Sequence, residues 1–178
     1  KLYPLLNALK EQTLFLSENY DECISYSKNV LKESNSITDA YNANFVKMLA
    51  NQFIGLSLIE KKKCSEALPF IKASVTHDKD VVFLFRFKNN NALAKILLSQ
   101  KEVDSAYYVL NNFKLEDDQN SLEALPDRYY LLSKIHTYYN SIDLSESYLN
   151  KKDSIELKLK NLERKAIGEV LVFMKNEE

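Results

Sequence analysis

The chain has two glycines, three prolines, two cysteines and no tryptophan in 178 residues. With so little Gly and Pro there is no supply of tight-turn residues, which excludes a hairpin-rich sandwich or barrel. Cys23 and Cys64 stand 41 residues apart, which is neither a disulfide scaffold nor a metal-ligand spacing. They read as small core residues in helices, with a bridge left open in an oxidising compartment. No apolar run approaches the roughly 18 residues that span a bilayer, and no signal-peptide pattern opens the chain. The first residue is Lys1 rather than methionine, so a processed or trimmed piece of a longer protein is expected. The formal net charge of -1 provides no global field toward nucleic acid or an anionic membrane.

What is present is a helix-rich composition with enough apolar residues for one continuous core. Apolar residues recurring every three to four positions predict helices over 3–17, 22–34, 40–62, 64–75, 81–101, 102–115, 121–141 and from 142 onward. Thr38 or Asp39 can cap the third, and Pro69 falls close enough to a helix start to be tolerated. Val81–Phe87 could pass for a buried strand. The run continues into "ALAKILL" without punctuation, so helix is predicted there. The order is helix, short break, helix, longer break, four times over.

That order calls for an internal-repeat search. Small residues open each second helix at Cys23, Ala67, Ala106 and Ser145, at intervals of 44, 39 and 39. Twelve positions earlier stand Glu11, Gly55, Ala94 and Ser133, three of them small. Three positions after these come Leu14, Leu58, Leu97 and His136. Two closely packed antiparallel helices need small residues where they cross. Gly55, Ala94 and Ser133 with Ala67, Ala106 and Ser145 are therefore expected as structural anchors, and Gly55 is expected at a crossing despite its helix penalty of about 1 kcal/mol.

"IGLSL…SEALPFI", "LAKIL…DSAYYVL" and "LSKIH…DLSESYL" resemble the tetratricopeptide repeat (TPR), and "NYDECISYSKNVL" is similar to its second half. The resemblance covers nearly the whole chain. It implies an all-α fold: a TPR-like array of about four helical hairpins, an α-solenoid, ending in a long C-terminal helix. A single domain over residues 1–178 is expected, with approximate repeats 1–37, 38–77, 78–117 and 118–153. Three features depart from the family pattern. The period exceeds the usual 34 or so residues. Asn7, Asn51, Asn90 and Tyr129 replace a large apolar residue, and the loop prolines are missing.

In the tail helix, expected over 145–176, Ile155, Leu159, Leu162 and Ala166 step by 4, 3 and 4, a coiled-coil seam that Val170 and Phe173 extend. It reads equally as a cap over the last repeat or as a dimerising or signal-passing stalk. "YLNKKDSIELKLKNLERK" resembles the end of TPR arrays in Bacteroidetes regulatory proteins. There such a helix leads toward a membrane helix and an output domain, a histidine kinase or a DNA-binding helix-turn-helix. That resemblance implies a bacterial signal-transduction or transcription-regulation role on the periplasmic side of a membrane. Without it, a cytoplasmic location is expected.

The chemistry-bearing residues are sparse. His77 is placed in a loop and His136 in a core slot, neither with a ligand partner at helical spacing. Asp78, Asp80, Asp117 and Asp118 are loop carboxylates without a calcium-loop pattern. Lys61–Lys63 reads as a solvated break. The tyrosine pairs at 107–108, 129–130 and 138–139 read as core plus one exposed ring. No catalytic residue, metal or cofactor is expected, and the chain reads as non-enzymatic.

The resemblance implies instead a concave groove lined by first helices. Carried across position by position, it gives Gln52, Leu56 and Ile59 in the second repeat. The third gives Lys88, Asn91, Lys95 and Leu98, and the fourth Tyr130, Lys134, Thr137 and Tyr138. Such a groove suits a protein or extended peptide partner with an acidic group or C-terminal carboxylate. A homodimer through the C-terminal helix is a further option. Direct nucleic-acid contact and membrane insertion are not expected from this region. The leading reading is a protein-binding or sensing region of a larger regulatory protein. A free-standing cytoplasmic adaptor comes second, and a helical nucleic-acid binder, which needs a basic face, third.

Overall fold

The computed structural model describes residues 4–77, 83–112 and 119–176. Among them every regular element is helical. The α-helices are α1 (Pro4–Leu16), α2 (Tyr20–Glu33), α3 (Ala40–Glu60), α4 (Cys64–His77), α5 (Phe83–Ser99), α6 (Val103–Asn112), α7 (Leu125–Tyr138) and α8 (Ile142–Asn176). Short 3-10 segments cover Ser34–Ser36 and Gln119–Ala124. Two compact units result, residues 1–113 and 114–178. No helix among the described residues is long and apolar enough to cross a membrane.

In the first unit each helix packs on the next, and the first helices also pack on one another, α1 on α3 and α3 on α5. α3 is the centre. Its carboxylate cap is Asp39, which accepts the backbone N–H of Asn42 at 2.7 Å and contributes about 1 kcal/mol. Beyond that cap its apolar residues run round most of the helix, as fits one enclosed by α1, α2, α4 and α5. Ile54, Leu58 and Ile59 of α3, Ala67 and Ile71 of α4, and Ala92 and Ile96 of α5 form one core cluster. Leu14 of α1, Cys23 of α2, and Met48, Leu49 and Phe53 of α3 form another.

The hairpins turn alike. Glu18, Lys62, Lys101 and Asn140 adopt the left-handed conformation, with φ of 59°, 61°, 64° and 56°. Each lies seven residues after Glu11, Gly55, Ala94 or Ser133. The following N–H closes a six-residue ring at the helix end: Asn19 to Leu14 O, Lys63 to Leu58 O, Glu102 to Leu97 O and Ser141 to His136 O, at 2.8–3.0 Å. Each second helix then starts with the N–H of Cys23, Ala67, Ala106 or Ser145 on the carbonyl of Asn19, Lys63, Glu102 or Ser141.

Some boundaries differ from expectation. α4 runs through His77, the residue expected in a loop; Asp78, Asp80, Asp117 and Asp118 lie outside the described residues. Pro69 sits in the second turn of α4 rather than the first. α7 starts at Leu125, not at residue 121, because Pro126 fits only a first turn and disfavours helix before it. Tyr107 and Tyr108 are both exposed, as are Tyr138 and Tyr139, so neither pair has the core ring expected. In α6 the inward positions are Val103, Ala106 and Leu110, which turns the pair at 107–108 outward.

In the second unit α8 packs on α7 and on the 3-10 segment. His136 is buried in its expected slot and stacks on Tyr148, ring centroids 5.3 Å apart. Along α8 the seam residues Ile155 and Leu159 are half-buried, whereas Leu162 and Ala166 are exposed. The side chains of Val170 and Phe173 lie outside the described residues.

Candidate functional site

The four crossings set the geometry from which any surface is built. All eight anchor positions are buried, the residue types differing from hairpin to hairpin. At Gly55 an added Cβ would lie 2.5 Å from Cδ1 and 2.6 Å from Cγ1 of Ile71. Ala94 and Ala106 fill the third crossing. At the fourth, the Thr137 hydroxyl lies 3.0 Å from the carbonyl oxygen of Ser133, to which it donates, and 2.8 Å from Ser145 Oγ. Ser133 Oγ in turn donates to the Tyr130 carbonyl at 2.9 Å.

The first crossing is different in kind. Glu11 is only 1% exposed, and the Cys23 thiol donates to its backbone carbonyl at 3.6 Å. Burial raises the Glu11 carboxyl from 4.5 to about 7, and the nearby Ser27 hydroxyl offsets part of that rise. Neither Glu11 Oε1 nor Ser27 Oγ completes a hydrogen bond of good geometry. Ser27 holds the place that Ile71 takes in the second hairpin, so a carboxyl and hydroxyl replace a glycine and isoleucine. Both thiols of the chain are free.

The residues expected to line a groove fall in both units. In the first, Leu56, Lys88 and Leu98 are half-buried and Lys95 is exposed, its Nζ 3.1 Å from Glu60 Oε1. Gln52, Ile59 and Asn91 are buried and form no open surface. For Gln52 and Ile59 the cause is the enclosure of α3, which packs on both α1 and α5 and whose Ile59 joins the core with Ala92 and Ile96. In the second unit Tyr130, Lys134, Thr137 and Tyr138 are exposed. Lys134 Nζ lies over the Tyr130 ring, 4.6 Å from its centroid, a cation–π contact. The Thr137 hydroxyl is already engaged at the crossing.

Sequence reasoning did not find the four left-handed turn residues or the burial of Glu11. The constant seven-residue offset from the first anchors was the available signal for the turns. For Glu11 the signal was its place in the small-residue register. Buried Arg128 of α7 was also unforeseen; burial pushes its pKa down, and Tyr129 and Tyr148 act against that shift. Among the described residues, no three acidic, His or Cys side chains converge on a metal site. Comparison with family models, curated proteins and solved structures returned no match to this chain.

Proposed function

We propose that this chain is the partner-binding region of a larger regulatory or signalling protein, built as a TPR-like array that performs no chemistry of its own. The observation that carries the reading is the recurrence of one hairpin geometry. Four turns of the same hand fall at the same distance from eight buried crossing residues. Helical hairpins repeated in this way offer their side-chain rows to extended partners rather than a catalytic pocket.

The available surface is narrower than the full set of first-helix positions. On the first unit it comprises Leu56, Lys88, Lys95 and Leu98, and on the second Tyr130, Lys134 and Tyr138. Each set combines lysine with apolar or aromatic area, which suits a peptide bearing a carboxylate beside an apolar side chain. Lys95 binds such a group by exchanging Glu60 for it, at little loss, because an exposed ion pair contributes at most about 1 kcal/mol.

The test is binding to a library of extended peptides with free C-terminal carboxylates, read by fluorescence anisotropy. Lys95→Glu combined with Lys134→Glu is expected to leave the thermal unfolding profile intact and abolish binding. Binding that survives both substitutions removes this surface from consideration.

A further inference from the structure

α1 keeps the register of the other first helices, with Glu11 and Leu14 buried, but most of its leucines face outward. Leu5, Leu6, Leu9 and Leu16 are 51–69% exposed. Glu11 and Asn7 face inward instead, the latter accepting from the Tyr26 hydroxyl at 2.6 Å. Leu14 is the one buried leucine of the helix, with Ala8 and Phe15 packed partly against the same cluster. The helix is thus held by a short apolar contact and a buried polar junction.

That junction brings together Glu11 of α1, Cys23 and Ser27 of α2, and Ser57 of α3, all buried. Glu11 Oε1, Ser27 Oγ and Ser57 Oγ complete no hydrogen bond. The titratable groups facing Glu11 from α2 are the Cys23 thiol and the Tyr26 phenol. Burial pushes both up, and the Glu11 carboxylate pushes them further. α3 brings the Ser57 hydroxyl, which acts on Cys23, and the apolar Met48, Leu49 and Phe53. Among the described residues no ion pair reaches the Glu11 carboxyl, and Lys10 Nζ lies instead over the Tyr26 ring, 4.3 Å from its centroid, so ionisation of Glu11 in place is uncompensated. The equivalent slots hold Gly55, Ala94 and Ser133, none of which titrates.

We propose that Glu11 makes α1 a pH-gated latch: its protonated carboxyl seats α1 against α2 and α3, and its ionisation loosens α1 and uncovers Met48, Leu49 and Phe53. Phe15, whose ring centroid lies 6.0 Å from that of Phe53, leaves with it. The direction follows from linkage. A carboxyl that holds its proton more tightly when seated than when free favours the seated helix in acid and loses that advantage as pH rises.

The test is amide hydrogen exchange on the whole chain at pH 5, 6, 7 and 8, corrected for intrinsic exchange rates. The opening constant of the α1 amides is expected to rise about tenfold per pH unit between about 5 and 7, as release of one proton requires, and to level off above that. The α8 amides, in the other compact unit, serve as the internal reference and are expected to show no such slope. Glu11→Gln is expected to abolish the slope in α1. A flat wild-type profile, or a slope that persists in Glu11→Gln, overturns the latch. Should Glu11→Gln fail to fold, direct carbon NMR titration of the Glu11 carboxyl in the wild-type chain decides. A midpoint near 7 that coincides with the levelling-off of the α1 exchange slope assigns the slope to Glu11 and upholds the latch, and one near the ordinary glutamate value overturns it.

Discussion

Gly55 and Ile71 meet so closely that the Cβ Gly55 lacks would sit 2.5 Å from Cδ1 of Ile71. The separation is well inside van der Waals contact, and Ile71 is itself fully buried, so its side chain must shift within a packed core to admit a Cβ. A leucine at this crossing overpacks it. Gly55→Leu is expected to destabilise the first unit by roughly 1–3 kcal/mol in urea unfolding. Ile71→Ala opens room at the same point. The double substitution is therefore expected to lose less than the two single losses added together. Strict additivity would mean the two residues do not share this contact.

The left-handed turns give a second expectation. An L-residue with a side chain is strained at positive φ, asparagine less so than lysine. Lys62→Gly and Lys101→Gly are expected to raise stability by about 0.5–1 kcal/mol each. Asn140→Gly is expected to change it by only a few tenths. Chemical denaturation of the three variants separates these outcomes; equal effects at all three positions would contradict the assignment of strain.

The Glu11 carboxyl predicts how stability follows pH. Its value is 4.5 in an exposed chain and about 7 in the fold. The folded state therefore favours the protonated form. That contribution is full below about pH 4.5 and is lost as pH rises to about 7, amounting to roughly 3 kcal/mol over the window. The difference in unfolding free energy between wild type and Glu11→Gln is expected to change by about this amount from pH 4.5 to 7, with the substitution relatively more favourable at the higher pH. A constant difference would place the carboxyl in water.

The all-α class and the positions of the crossings were legible because a crossing constrains side-chain size. Gly55, Ala67, Ala94, Ala106, Ser133 and Ser145 are each small and each buried. Leu14, Leu58, Leu97 and His136 were legible for the same reason, as one apolar or aromatic position recurring in phase, and all four are buried. The turns were not legible, since glutamate, lysine and asparagine at positive φ look like any solvated break. Glu11 was hidden because charge is normally read as exposure, and here register overrides it. The exposure of the expected groove residues was legible only in part. Whether Gln52, Ile59 and Asn91 face solvent depends on how closely neighbouring first helices approach, which periodicity along one helix does not encode.

One chemical change at two helical glycines tests the repeated-crossing account most directly. Gly168 of α8 has no atom within 4 Å of an added Cβ, whereas Gly55 is filled by Ile71. Alanine improves helix propensity by about 1 kcal/mol at either site, and only Gly55 sets an overpacking penalty against it. In parallel urea unfolding, Gly168→Ala is expected to be neutral or stabilising by up to about 1 kcal/mol. Gly55→Ala is expected to destabilise by about 1–2 kcal/mol. Stabilisation by Gly55→Ala to the same extent as Gly168→Ala would contradict a close helix crossing at Gly55, and with it the register on which the four hairpins are aligned.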